Sequence, residues 1–305
     1  MTHAQLGDAG PGEQARYLMH SCRTVGLMAR ALVMLAVLGP VAAWADPHGT
    51  VQTPGQPDLR SHAFYILDES DSSVLAARHE RIPVPIASIT KLMTALVVLA
   101  AGQPLDEMLT ITSDDVRGTA GQSSRLAPGA ILSRGDLLRL ALMSSENRAA
   151  HALCRNYPDG MPACVSAMND RAAALSMTTA RFVEPTGLSS RNVASPEDLA
   201  KLVLAAGENP TVRDYSTDAG HTVYVNGQRL EYRNTNLLVQ NPAWHVNVQK
   251  TGYISEVGRC LVRQAVIDGR QVVIVLLNSW GKLTRIADAK RIRTWMESRR
   301  RTAAS

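Results

Sequence analysis

Aromatic side chains are scarce in this chain. They make up 4% of its 305 residues, and only two are Phe. Apolar residues still reach 45%, so the core must be mostly aliphatic. Cysteine is sparse as well, four in all, with none spaced as a zinc-binding pair. His79-Glu80 is followed by Arg-Ile-Pro rather than by a second spaced histidine, which excludes a metalloprotease helix. No glycine-rich phosphate loop occurs, and no metal or cofactor is expected. Neither sign of charge dominates. A net charge of +5 suits anionic surfaces such as a cell wall or membrane but is too weak to argue for nucleic acid.

Long apolar runs are missing too. The run from Ala31 to Leu38 is too short to span a bilayer as a helix. Arg16, Arg23 and Arg30 precede it, Gly39-Pro40 breaks it, and Ala43-Trp44-Ala45 supplies small residues. This pattern reads as an export signal over residues 1–45, cleaved after Ala45, with an uncleaved anchor as the alternative and Met19 as a second candidate start. Losing it removes three Arg, one Asp and one Glu, leaving +4. Residues 46–60, rich in Pro, Gly, Gln and Thr, read as a linker. Residues 61–305 then form the functional domain. A periplasmic, oxidising destination follows from export. There Cys154 and Cys164, flanking the turn Asn-Tyr-Pro-Asp-Gly, either form a disulfide or are two small buried apolar residues. Cys260 is left over, buried in a strand.

Along the chain, Ala63 to Asp68 and Ser73 to Arg78 read as a strand pair. A helix begins at Ser88, with aliphatic residues on all sides, and so should be central and buried. Helices follow over Leu137 to Met143, Glu146 to Arg155, Pro162 to Leu175 and from Ser195-Pro-Glu-Asp to Gly207. The last third turns to strands. Asn226-Gly227 and Asp268-Gly269 mark two hairpins, Val246 to Tyr253 is a further strand, and Ile286 to Arg299 is a closing helix. The order implies an α/β (α+β) fold, an antiparallel sheet flanked by helices with a helical subdomain inserted.

Ser88 and Lys91 raise a chemical question, because they open an otherwise apolar helix. Positions i and i+3 share a helix face. A serine hydroxyl is a poor nucleophile without a base, and a lysine in apolar surroundings is driven towards the neutral amine that can serve as one. The alternative is a capping serine and a lysine that reaches out to water. Ser-x-x-Lys alone is weak evidence, since Ser279-Trp-Gly-Lys282 also matches it. Ser-x-Asn occurs twice, at Ser145-Glu-Asn147 and Ser190-Arg-Asn192. Lys250-Thr251-Gly252 occurs once. The three motifs in this order, on a buried helix, between two helices and on a strand, form the set used by penicillin-interacting serine enzymes.

On these residues, with Ile86-Ala-Ser-Ile-Thr-Lys-Leu-Met-Thr, Met143-Ser-Ser-Glu-Asn-Arg-Ala-Ala, Arg181-Phe-Val-Glu-Pro-Thr-Gly-Leu and Gly258-Arg-Cys-Leu-Val, the chain resembles the low-molecular-mass penicillin-binding proteins. These are serine D-alanyl-D-alanine peptidases, and the likeness is closest to the penicillin-binding protein 7 type of DD-endopeptidase, over residues 61–298. The resemblance implies a β-lactamase/transpeptidase-like fold. It implies Ser88 as acylated nucleophile, Lys91 as its base, and Ser145 as proton relay to the leaving amine. Asn147 would hold the substrate amide, Lys250 would set the electrostatics of that relay and approach the substrate, Thr251 would bond the substrate's polar end, and Gly252 would let the backbone pass close. The N–H groups of Ser88 and Tyr253 would form the oxyanion hole. Peptidoglycan stem peptides are the implied partners and β-lactams the covalent inhibitors. Membrane association is at most loose: the basic tail Arg299 to Arg301 either assists attachment to membrane or wall or, the favoured reading, is a frayed solvated terminus.

Three departures from the resembled proteins matter. No Glu-x-x-Leu-Asn segment follows the second motif, and Glu184 sits in Glu-Pro-Thr-Gly-Leu instead, so efficient antibiotic hydrolysis is not expected. With so little sequence after the last expected helix, the β-rich domain and amphipathic anchor of the membrane-bound carboxypeptidases are not expected. Where those enzymes carry an arginine for a terminal carboxylate, this chain is read as having Trp280, with Lys282 nearby. Trp280 is either part of that site or a packing residue under the last helix. The expectation is therefore a DD-endopeptidase, with D-alanyl-D-alanine carboxypeptidase as the alternative.

Overall fold

Alternation decides where the strands lie. In Ala63–Asp68 (β1), Phe64 and Ile66 join one apolar cluster, while Ala63 and Tyr65 join another. The same split separates Val272, Ile274 and Leu276 from Val273, Val275 and Leu277 in the last strand. Successive side chains of a strand point to opposite faces, so these strands are buried on both sides and read as continuous aliphatic runs. The structure is a computed structural model that describes residues 55–303, except 242, 243, 257 and 282. The export signal, most of the linker and Lys282 lie outside the described residues, as do the side chains of Arg300 and Arg301.

After β1 come β2 (Val74–Arg78) and the short β3 (Val84–Pro85). A 3-10 turn, Ala87–Ile89, leads into α1 (Thr90–Ala100). The helical region continues with β4 (Met108–Thr110), α2 (Ser113–Gly118), β5 (Ile131–Ser133), α3 (Arg134–Met143), α4 (Asn147–Arg155) and α5 (Gly160–Ala174). Next are β6 (Val193–Ala194), α6 (Pro196–Glu208), α7 (Pro210–Thr217), and the hairpin β7 (Gly220–Val225) and β8 (Gln228–Arg233). The chain closes with β9 (His245–Ile254), β10 (Gly258–Ile267), β11 (Arg270–Ser279) and α8 (Thr284–Ala303).

The main sheet has the order β2-β1-β11-β10-β9, with every neighbouring pair antiparallel. Ala289, Ile292 and Met296 of α8 cover one face. The other face packs on the helical region, with α1 at its centre, buried from Thr90 to Val98. Its polar members are satisfied locally: Thr90 Oγ1 donates to Ala87 O at 2.8 Å and Thr94 Oγ1 to Pro185 O at 2.8 Å. The architecture is the expected one, and so are both hairpin turns. Asn226-Gly227 and Asp268-Gly269 all have positive φ, as their turn type requires.

Several details differ from the sequence reading: α7 and the short pairs β3–β6 and β4–β5 were not expected, and α1 starts at Thr90 after a 3-10 turn rather than at Ser88. The β7–β8 hairpin forms its own two-stranded ribbon rather than joining the main sheet. It is apolar on one face only, with Val223 and Val225 buried and Tyr224 exposed, so it suits a ribbon laid on the surface. The helix α2 was not expected, since Ser-Asp-Asp-Val-Arg-Gly carries too little apolar periodicity; a capping box between Thr112 and Asp115 starts it. Cys154 and Cys164 are disulfide-bonded, joining α4 to α5. Cys260 is buried and unbridged, and burial pushes its thiol up to about 11.

Candidate active site

The site lies where the edge strand β9 faces the helical region, in a cleft of about 630 Å³. Ser88 sits in the 3-10 turn just before α1, and Lys91 is in the first turn of the helix proper. Lys91 Nζ donates to Ser88 Oγ at 2.9 Å, to Asn147 Oδ1 at 2.7 Å and to the Thr186 carbonyl at 2.6 Å. Lys91 is fully buried, so it does not reach out to water, and Ser88 caps nothing. Burial is the largest cause of a pKa lowered from 10.5 to about 7, with the charges of Glu184 and Glu146 pulling the other way. Near neutral pH about half of such amines are unprotonated and able to take a proton from Ser88.

Ser145 occupies the break between α3 and α4, with φ at 62°. A left-handed residue ends one helix and lets the next start at once, but a serine there costs roughly 1 kcal/mol relative to glycine. Lys250 Nζ donates to Ser145 Oγ at 2.9 Å and to Thr251 O at 3.1 Å. Lys250 is on β9 and wholly buried, not a solvated edge lysine. Burial first, then the charges of Lys91 and Arg285, hold its amine far below the ordinary lysine value.

Gly252 explains how β9 approaches the nucleophile. A Cβ at this position would stand 3.0 Å from Ala87 Cβ and 3.2 Å from Ser88 N. The backbone of β9 therefore runs beside the Ser88 N–H, and Tyr253 follows with its side chain 56% exposed in the cleft. Thr251 Oγ1 lies 2.7 Å from Thr235 Oγ1, and Thr235 N donates to Met143 O at 3.1 Å, tying the strand to the end of α3. The structure thus brings Ser88, Lys91, Ser145, Asn147, Lys250, Thr251, Gly252 and Tyr253 together.

Several contributors were not assigned these roles in the sequence reading. Glu184 accepts from Thr186 N at 2.7 Å, Gly187 N at 2.7 Å and Asn192 Nδ2 at 2.8 Å. It shapes the loop that presents the Thr186 carbonyl to Lys91, and its carboxylate is used in doing so. Gly187 has φ of 81°, and a Cβ there would lie 2.0 Å from Ala87 O. Only glycine lets this loop press on the strained Ala87, whose own φ is 49°. Asn192, from the second Ser-x-Asn match, is a structural partner of Glu184 and not part of the cleft.

One expectation is corrected. Arg285, in the first turn of α8, lines the cleft with Thr251, so an arginine suited to a carboxylate is present after all. Trp280 is 58% exposed and is neither in the cleft wall nor packed under α8. The strand end was placed correctly, but the arginine enters from the helix beyond it.

The arrangement has the parts of serine acyl transfer: a nucleophile with a buried amine base, and a second hydroxyl held by a second buried amine. Comparison with known proteins agrees. Residues 50–281 match the family model described as D-alanyl-D-alanine carboxypeptidase, peptidase S11. A D-alanyl-D-alanine endopeptidase of Pseudomonas aeruginosa is 42% identical, over 91% of this chain and 90% of that one. A D-alanyl-D-alanine endopeptidase of Escherichia coli (strain K12) is 41% identical, over 90% and 88% respectively. Among solved structures, the Streptomyces K15 DD-transpeptidase superposes with a TM-score of 0.72 at 26% identity, covering 79% of this chain and 98% of the other. The chain belongs to the peptidase S11 family of D-alanyl-D-alanine peptidases.

Proposed function

We propose that this protein is a serine DD-endopeptidase that cleaves D-alanyl–diaminopimelate cross-links in peptidoglycan through an acyl-enzyme at Ser88. The observation that carries the chemistry is the 2.9 Å contact between Ser88 Oγ and the buried, largely deprotonatable Lys91 amine. Lys91 takes the Ser88 proton as Oγ attacks the D-alanyl carbonyl. The N–H groups of Ser88 and Tyr253 receive the oxyanion. Asn147 spends its Oδ1 on Lys91, which leaves its amide N–H for the substrate backbone. Ser145, oriented by Lys250, delivers a proton to the departing amine. Water, deprotonated by the same route, then releases the peptide and restores Ser88.

Thr251 and Arg285 suit a carboxylate next to the scissile amide. A terminal D-alanine has one there, and so does the D-centre of a cross-linked diaminopimelate, so Arg285 serves either reaction. The preference for cross-links is supported by the two relatives named endopeptidases. Glu184 is consumed by its loop and does not line the cleft, which supports slow turnover of β-lactams. The periplasm is the proposed location. Its supports are the export-like N-terminal sequence and the Cys154–Cys164 bond, which persists in oxidising compartments. Among the described residues no helix is long and apolar enough to cross a membrane. We assign the mature catalytic domain to residues 61–305.

Two assays test the reading. Purified protein should take up fluorescent penicillin covalently, and Ser88→Ala should abolish the label while keeping the fold. Purified muropeptide dimers should be cut to monomers. Release of free D-alanine from pentapeptide monomers with dimers untouched would replace endopeptidase by carboxypeptidase, and a folded enzyme with no label would end the acyl-enzyme account.

A further inference from the structure

The cleft contains a cation that the chemistry at Ser88 does not use. Arg259, second residue of β10, stands directly opposite Tyr253 in the β9–β10 register. Its guanidinium lies over the exposed Tyr253 ring, 4.5 Å from the centroid, and both residues line the cleft. Stacking occupies the flat face of the guanidinium and leaves its N–H edge available, the edge that pairs with a carboxylate in two parallel hydrogen bonds. Among the described residues Arg259 forms no ion pair. The one carboxylate in the same wall, Glu256, accepts from Ser255 Oγ at 3.0 Å. Arg259 also sets its charge against Arg285, so this end of the cleft is a two-arginine wall. Thr251 and Tyr253, two residues apart, share one face of β9, which places Arg259 beyond the position where Thr251 and Arg285 would meet the carboxylate beside the scissile bond.

We propose that Arg259, braced on Tyr253, is a second anion subsite, which binds a carboxylate of the stem peptides other than the one adjoining the scissile amide. The proposal rests on the peptidoglycan reading above. Stem peptides carry such carboxylates on the D-glutamyl residue, which is joined through its side chain, and on diaminopimelate. The subsite selects stems whose carboxylates are free over stems in which they are amidated, a discrimination that the reacting groups around Ser88 do not make.

The test is a cycle of one protein change and one substrate change. Wild type and Arg259→Gln are compared on cross-linked dimers with free carboxylates, and on dimers amidated only at D-glutamate or only at the remote diaminopimelate carboxylate. Loss of a charge-assisted pair is expected to lower kcat/KM by roughly tenfold or somewhat more. Wild type should lose that factor on one of the two amidated dimers, which identifies the carboxylate. Arg259→Gln should lose it on the free dimer and lose nothing further on that amidated dimer. Arg259→Lys should recover part of the loss. Losses that multiply across the cycle, or an Arg259→Gln effect equal on all three substrates, would overturn the subsite. The same cycle is run on pentapeptide monomers by release of D-alanine. If no dimer is cut, the endopeptidase reading fails while the monomer arm still decides the role of Arg259.

Discussion

Replacing Lys91 by Met should leave the fold more favourable relative to wild type at pH 7 than at pH 9, while removing activity. A lysine whose pKa falls from 10.5 unfolded to about 7 folded binds fewer protons in the native state between those limits. Stability therefore rises with pH across that window, and the cost of burying this amine is fully present below pH 7 and is lost as the pH rises towards 10.5. That cost is about 4 kcal/mol at pH 7 and about 2 kcal/mol at pH 9. Met fills similar volume and titrates nothing. Its substitution leaves the Thr186 carbonyl and Asn147 Oδ1 without their donor, at a cost of about 1–3 kcal/mol each, so the net change at pH 7 is small. Those losses do not depend on pH. The difference between pH values thus reads Lys91 together with its charge on Lys250: wild type should gain about 2 kcal/mol on the variant between pH 7 and pH 9. Denaturant midpoints with the disulfide intact measure this, with penicillin labelling as the activity control. A gap that stays constant with pH, or one in which wild type gains on the variant as the pH falls, would refute the neutral-amine account.

Acylation by benzylpenicillin should show an acid limb with its midpoint near pH 7, falling about tenfold per unit below pH 6, because only the neutral Lys91 amine accepts the Ser88 proton; a rate flat from pH 5 to 7 would contradict this. Gly187→Ala and Gly252→Ala should separate. The first meets Ala87 O at 2.0 Å from a φ of 81° and should cost about 2 kcal/mol or more with loss of labelling, whereas the second meets contacts near 3 Å and should slow acylation with little change in thermal midpoint.

The motif residues were readable because each lies on a local element. Ser88 and Lys91 are one turn apart, Ser145 and Asn147 span the break between two helices, and Lys250 to Gly252 are consecutive on a strand. The stretch that holds Glu184 and Gly187 was legible but their roles were not, and Thr235 and Arg285 were not readable, since they act through contacts far apart in sequence. Glu184 works through backbone N–H groups, Gly187 through a φ and a clearance, and Thr235 through a hydroxyl that meets Thr251 across the cleft. Arg285 is one basic residue among many in a helix of mixed polarity, and only the packing of α8 on the sheet turns it into the cleft. The strands of the main sheet were legible from their aliphatic runs. The β7–β8 hairpin was legible as a hairpin, but its placement apart from the sheet rests on a one-sided apolar pattern that a surface strand of the sheet would share.

The tuning of Lys91 follows from what its neighbouring acids are already doing. Glu184 and Glu146 are close enough to favour its charged form, yet neither carboxylate bonds it. Glu184 is spent on the N–H groups of its own loop, and Glu146 caps α4 through the Arg148 N–H. A direct ion pair would hold the amine protonated and useless as a base. Complete removal of the acids would let burial drive the amine lower still, leaving a base too weak to take the serine proton. Two carboxylates held at a remove by backbone hydrogen bonds place the amine between these limits. The same backbone bonds shape the loop and the helix start that deliver the Thr186 carbonyl and Asn147 to Lys91, so the parts that set its proton affinity also set its position.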